Sequence, residues 1–177
     1  MIVAPVTFLL LVYSDDTHSS RHLIFFTTFF FSTLTSIITV LYLKKINKIS
    51  DLDASIREQR IQPLAIGAIY HGIGFLALWA LNATPIVKGL MFCYALNTAV
   101  VWFITLKWKI SIHAIGLGGP LVALWLHGFH YPIFMGTLLL IVCTSRVILK
   151  AHTPSQVITG SALAMSLAYI ELNFLFL

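Results

Sequence analysis

Ser145-Arg146-Val147-Ile148-Leu149-Lys150-Ala151-His152-Thr153-Pro154-Ser155-Gln156 joins the apolar run that begins at Ile133 to the one that ends at Leu177. An apolar run on each side, with cations between, is how one membrane helix ends at the headgroup level and the next begins. The stretch places an arginine, a lysine and a histidine within about two helical turns. Ser145 and His152, seven residues apart, share a helical face, and Arg146 adjoins it. A guanidinium beside an imidazole suits phosphate. The guanidinium offers a planar fork of donors, and the imidazole can attack or carry a proton.

The rest of the chain has the same character. Of its 177 residues, 59% are apolar and 10% charged, and the mean hydropathy is +0.94. Soluble domains are roughly half apolar and a quarter charged, so this composition marks an integral membrane protein and excludes most soluble fold classes. The net charge of +5 comes from a few clusters of cations. In a bilayer protein such clusters mark orientation and anionic partners, not nucleic acid. Cys93 and Cys143 lie inside apolar runs without a second ligand-type residue beside them.

Taken in order, Met1–Tyr13 is apolar but short for a crossing. It lacks the basic start and small-residue cleavage site of a signal peptide, and reads as a retained partial or re-entrant helix. A polar loop, Ser14–Ser20, follows. Longer apolar runs cover His22–Leu43, Leu64–Leu81, Ile86–Leu106, Ile133–Lys150 and Val157–Leu177, and the shorter Ala114–Leu126 crosses between the third and fourth of these. Gly160 and Ala164 are spaced for close packing of the last helix on a neighbour. The expected architecture is an all-α polytopic transmembrane bundle of five full spans plus a short N-terminal apolar helix, forming one domain over residues 1–177.

Parity then decides what can meet. Two crossings separate the polar loop Ser50–Gln62 from Ser111-Ile112-His113, and two more separate that from Ser145–Gln156. All three therefore emerge on one side of the membrane. His127 and His130 fall on the other side beside Trp125 and Tyr131, as an interfacial aromatic belt. His71 lies within a span and reads as a buried neutral histidine with a local hydrogen bond.

Ser145-Arg146, five residues, then His152 resembles the third signature of the type 2 phosphatidic acid phosphatase superfamily, which includes the vanadium haloperoxidases. Ser111-Ile112-His113 resembles its second signature, Ser-Gly-His. The loop with Arg57, Arg60 and Pro63 is similar to the first, a lysine, six residues, then Arg-Pro. The order is right, the likeness spans residues 44 to 170, and small bacterial polytopic members are nearest in character. The resemblance implies hydrolysis of a lipid phosphate or prenyl (di)phosphate, with His152 as nucleophile and His113 as general acid. Arg146, Arg60 and Arg57 would hold the phosphate oxygens with Ser111, and Gln156 would orient the nucleophile. No metal or other cofactor is implied, because guanidinium groups supply the positive charge that phosphoryl transfer needs.

Three positions depart from the family pattern. Gln156 stands where the family has aspartate, and an amide oxygen fixes an imidazole tautomer without stabilising the imidazolium. Thr153-Pro154-Ser155-Gln156 also reads as a capping box with proline at the first helical position. Ile112 replaces the signature glycine. Asp53 stands where the first signature has lysine. From the residues alone, Ser50 caps a short amphipathic helix there, and Asp53 pairs with Arg57 four residues on. Arg57 and Arg60 then share one face, and one of them replaces the lysine as a clamp.

Two other readings remain open. In one, the chain is a non-catalytic relative that binds anionic lipid headgroups. In the other, Asp51 and Asp53 hold Mg²⁺ against a prenyl diphosphate. Lys44, Lys45, Lys48, Lys107, Lys109 and Lys150 lie on the polar side, against little more than Lys88 opposite. The positive-inside rule thus puts the site at the cytoplasmic face, and the resemblance to small bacterial members implies a bacterial inner membrane.

Overall fold

The computed structural model describes residues 3–14 and 20–177, and among them every regular element is a helix. The first two residues, and most of the polar loop expected at Ser14–Ser20, lie outside the described residues. Helix α1 is Val3–Tyr13. Helix α2, Arg21–Phe29, continues through a π-helical turn, Phe30–Leu34, into α3, Thr35–Lys45. Then come α4 (Arg57–Ala80), α5 (Pro85–Thr105), α6 (Ile112–Leu126), α7 (Pro132–Ile148) and α8 (Pro154–Leu175).

Among the described residues four helices are long and apolar enough to cross a membrane: the continuous Arg21–Lys45, α4, α5 and α8. Helices α6 and α7 have 15 and 17 residues. They rise about 22 and 26 Å, against a hydrocarbon core of about 30 Å. The expectation of five full spans is met only in part, by four full-length helices with α1, α6 and α7 as shorter apolar ones.

Local chemistry sets the boundaries. Proline opens α5, α7 and α8, where its missing N–H is no loss. The Ser111 hydroxyl caps α6 by accepting the Ala114 N–H. Thr153 and Gln156 form the expected reciprocal capping box at the start of α8. The amphipathic helix expected from Ser50 does not form. Instead the Asp51 carboxylate accepts the Ser55 N–H, and the Gln59 side chain accepts from the Ser50 N–H and hydroxyl. An aspartate that binds a nearby backbone amide favours a turn over a helix. Residues 46–56 are therefore a stapled turn, with Asn47 and Ala54 at positive φ and with Ile49 and Ala54 packed on Leu43. Helix α4 starts only at Arg57 and runs through Pro63.

Small residues let the helices approach. A Cβ on Gly118 of α6 would lie 3.0 Å from the Ala164 Cβ of α8, and one on Gly160 of α8 would lie 3.2 Å from the Ser111 carbonyl oxygen. This contact is the close packing expected at Gly160 and Ala164, and its partner is α6. The π-turn brings Phe31 against Gly74 of α4, where a Cβ would come within 2.7 Å. Phe8 and Leu11 of α1 join Leu78, Leu90, Met91 and Leu172 in the main core. Helix α7 stands apart, with no buried side chain.

The bundle has two polar ends. At one, Ser14 meets His127 (2.6 Å), Tyr13 meets His22 (2.7 Å), and Lys88 lies over Trp79. Arg21 is here too, stacked on Tyr13, so this end carries two cations where the sequence pointed to little beyond Lys88. The expected three stretches gather at the other end.

The α6–α8 seam yields a test. Gly118→Val should destabilise the protein by about 1–3 kcal/mol, read as a lower melting temperature in detergent. Gly136→Ala, on α7 with nothing within 4 Å of the added Cβ, should leave the melt unchanged.

Candidate functional site

Arg60 is the centre of the polar end. It is only 4% exposed. Its Nε donates to the Ala54 carbonyl (2.6 Å), and its Nη1 donates to the Ile110 carbonyl (3.1 Å) and points at His152 Nε2 (3.5 Å). One guanidinium thereby ties the loop before α4, the α5–α6 connection and the α7–α8 connection. Two further bonds fasten these connections, from the Ser111 N–H to the Gln156 carbonyl (3.4 Å) and from Lys109 Nζ to the Ala151 carbonyl (2.8 Å).

His152 sits in the α7–α8 connection and is buried. Its Nδ1 is 2.9 Å from Gln156 Oε1, and the same oxygen accepts the Thr153 N–H at 3.3 Å. A backbone N–H can only donate, so the shared atom is the amide oxygen, and His152 Nδ1 carries the proton. The lone pair is then on Nε2, facing Arg60. Gln156 both caps α8 and orients the imidazole. Burial, with Arg60, Lys109 and His113 nearby, outweighs the hydrogen bond to Gln156 and lowers the His152 pKa to about 4. The ring is neutral at pH 7.

A second group lies beside the first. The Asp53 carboxylate bonds Arg146 Nη1 at 3.2 Å through Oδ2, and its Oδ1 lies 3.9 Å from His113 Nε2. Asp53 therefore pairs with Arg146 across the bundle, not with Arg57 as its spacing suggested. The cause is the turn at residues 50–55, which removes the helical register that the Asp53–Arg57 pair requires. Arg57 turns away and bonds its neighbour Glu58 (2.7 Å) and the Leu106 carbonyl (3.1 Å). The structure does not bring Arg57 into the cluster. Ser111 is fully buried, with its hydroxyl engaged in the α6 cap, so its contribution is to anchor the segment that carries His113.

Asp53, Arg60 and His113 line the wall of a cavity of about 390 Å³ that continues into the bundle. His152 and Arg146 are not on its wall and join it through Arg60 and Asp53. Deeper, the wall is mostly apolar but includes His71, Asn97 and hydroxyls of the first span, among them Ser32 and Thr33. His71 Nδ1 meets the Thr98 hydroxyl at 3.4 Å, a partner on α5 rather than a local one, while among the described residues His71 Nε2 and Asn97 Oδ1 are buried without a partner.

The Asp51 carboxylate is bound to Ser50 and Ser55, and the Asp53 carboxylate to Arg146. Among the described residues no three His, Cys, Asp or Glu side chains gather as a metal-binding group. Sequence reasoning missed Asp53 as the anion of the site and Lys109 as a fastener. The signal for Asp53 was its place at the signature lysine.

The buried neutral His152 predicts a pH dependence. An unfolded histidine titrates near 6.5 and the folded one near 4, so the unfolded state binds more protons between these values. Melting temperature should be level above pH 7 and fall as pH drops from about 6.5 toward 4, with a shallower fall in His152→Gln. No family model, curated protein or solved structure matches this chain.

Proposed function

We propose that the chain hydrolyses a membrane lipid phosphate or prenyl (di)phosphate without a metal, through a phosphohistidine on His152, in the manner of type 2 phosphatidic acid phosphatases. The observation that carries this reading is the His152–Arg60 contact. A neutral imidazole, its Nδ1–H held by Gln156, presents its Nε2 lone pair 3.5 Å from a guanidinium nitrogen. Nucleophile and phosphate-holding cation are thus adjacent, which is the positioning phosphoryl transfer requires.

In this reading the phosphate oxygens lie against Arg60 and Arg146, and Nε2 of His152 attacks phosphorus. The bond from phosphorus to the lipid oxygen breaks, and that oxygen takes a proton from His113, whose charged form Asp53 favours while burial and Arg146 oppose it. His113 then removes a proton from water as the water attacks the phosphoryl group, which frees His152 and releases phosphate. Ser111 holds the backbone that bears His113, and Arg57 has no part. The lipid-facing helices around the site suit a substrate with an anchored tail. In this reading the lysines of this end favour the cytoplasmic face, and the likeness to small bacterial members suggests a bacterial inner membrane.

A second reading, a non-catalytic relative that binds anionic headgroups, is favoured by one observation: Asp53 already occupies Arg146. The two readings separate in detergent with EDTA. The wild type should release phosphate from a lipid phosphate and His152→Ala should not, whereas equal inertness of both supports the binding protein. Arg57→Ala should keep activity within about twofold. Gln156→Glu retains the reach of the cap and adds the missing anion beside His152, and should raise the rate; a slower enzyme would show that the amide's value is structural.

A further inference from the structure

The cavity behind the polar end has the length and the lining of a slot for one chain. Five residues of α4, Arg60, Pro63, Leu64, Gly67 and His71, lie on its wall, and spacings of three and four put them on one side of that helix. Arg60 and His71 are eleven residues apart, a rise of about 16 Å. Between them the α4 wall is apolar, and glycines keep the space open. A Cβ on Gly116 of α6, also on the wall, would meet nothing within 4 Å, and one on Gly67 would only touch the Thr98 methyl at 3.8 Å.

The two ends of this cavity differ in chemistry. At the outer end Arg60 lines the wall and faces His152 Nε2 at 3.5 Å. A phosphate on this guanidinium has the reactive nitrogen on one side and the cavity on the other. At the inner end His71 Nε2, the Tyr94 hydroxyl and Asn97 Oδ1 belong to wall residues and, among the described residues, have no partner. His71 and Asn97 are each only 7% exposed. Polar atoms buried so deep accept a water or a polar group against them and penalise an apolar chain end. The inner end is therefore a stop for a hydrocarbon chain.

We propose that this cavity is a tail channel: the site takes a phosphate ester of one chain of about a dozen carbons, with its head against Arg60 and its tail threaded inside the bundle toward His71 and Asn97. This rests on the reading of the cluster as a phosphate site and narrows its substrate class. An extended carbon chain of that length matches the rise between the two ends. The cavity volume of about 390 Å³ is small for a ligand pocket and leaves no room for the second chain of a diacyl lipid phosphate. Arg60 is buried, so a head group that reaches it brings its ester chain into the same enclosed space. A tail is as apolar a neighbour in lipid as in the channel. The channel therefore selects by chain number and length, and the affinity comes from the head.

Photolabelling locates the tail directly, whatever the catalytic rate. The whole chain in phosphatidylcholine bilayers is irradiated with dodecyl phosphate that carries a diazirine on its last carbon, and the adducts are mapped by mass spectrometry. They should fall on the inner wall, around His71, Tyr94 and Asn97. Unlabelled dodecyl phosphate should compete, and diacyl phosphatidic acid should not. Gly116→Leu fills open space between the two ends and should cut the inner labelling by about tenfold; should it fail to fold, Gly67→Val supplies the plug. Adducts on outward faces such as Ile133 and Ile141, or equal competition by phosphatidic acid, overturn the proposal, and the phosphate site stands if methyl phosphate still raises the melting temperature. If the same chain ending in a hydroxyl labels the inner wall as strongly as the phosphate does, the phosphate reading itself falls, and this proposal with it.

Discussion

A guanidinium withdrawn from water must find acceptors, and Arg60 finds them on three different segments. Leaving such a charge unpaired in a low-dielectric interior costs several kcal/mol. The Ala54 and Ile110 carbonyls, with His152 behind them, satisfy it only when the loop before α4 and both later connections stand in one arrangement. The bundle's polar end is therefore assembled around a single cation. The helices bring their ends near one another through apolar packing, and Arg60 selects the relative placement of the three segments.

Much of this was readable from the residues, for reasons that differ from case to case. The meeting of the three polar stretches followed from parity, which depends on how many times the chain turns back and not on where each helix ends. Thr153 and Gln156 were legible as a cap because the motif is local, and Gly160 was legible because backbones approach only where side chains are absent. The span count was less accessible. Helices α6 and α7 are trimmed by their connections, and hydropathy does not weigh that. Asp53 was misread because its four-residue spacing from Arg57 matters only on a helix, and the Asp51 carboxylate diverts residues 50–55 into a turn. Arg57 went astray with it. The π-turn at Phe30–Leu34 has no signature among the phenylalanines and threonines around it.

Gln156 shows how one atom can serve two levels of structure. Its Oε1 closes the first turn of α8 and holds the His152 proton on Nδ1. The tautomer of the imidazole is thus secured by helix formation itself. A change at this position therefore acts on the helix end and on the imidazole together.

Helix α7 carries Arg146 yet buries none of its side chains. Its outward residues are strongly exposed, with Ile133 at 86% and Ile148 at 77%, and its rise falls short of a typical hydrocarbon core. A helix shorter than the hydrocarbon core is accommodated by thinning of the bilayer around it or by snorkelling of its flanking residues. Membrane thickness therefore acts on the guanidinium at its end, and lipids of different chain length will tune how firmly the Arg146–Asp53 bridge closes.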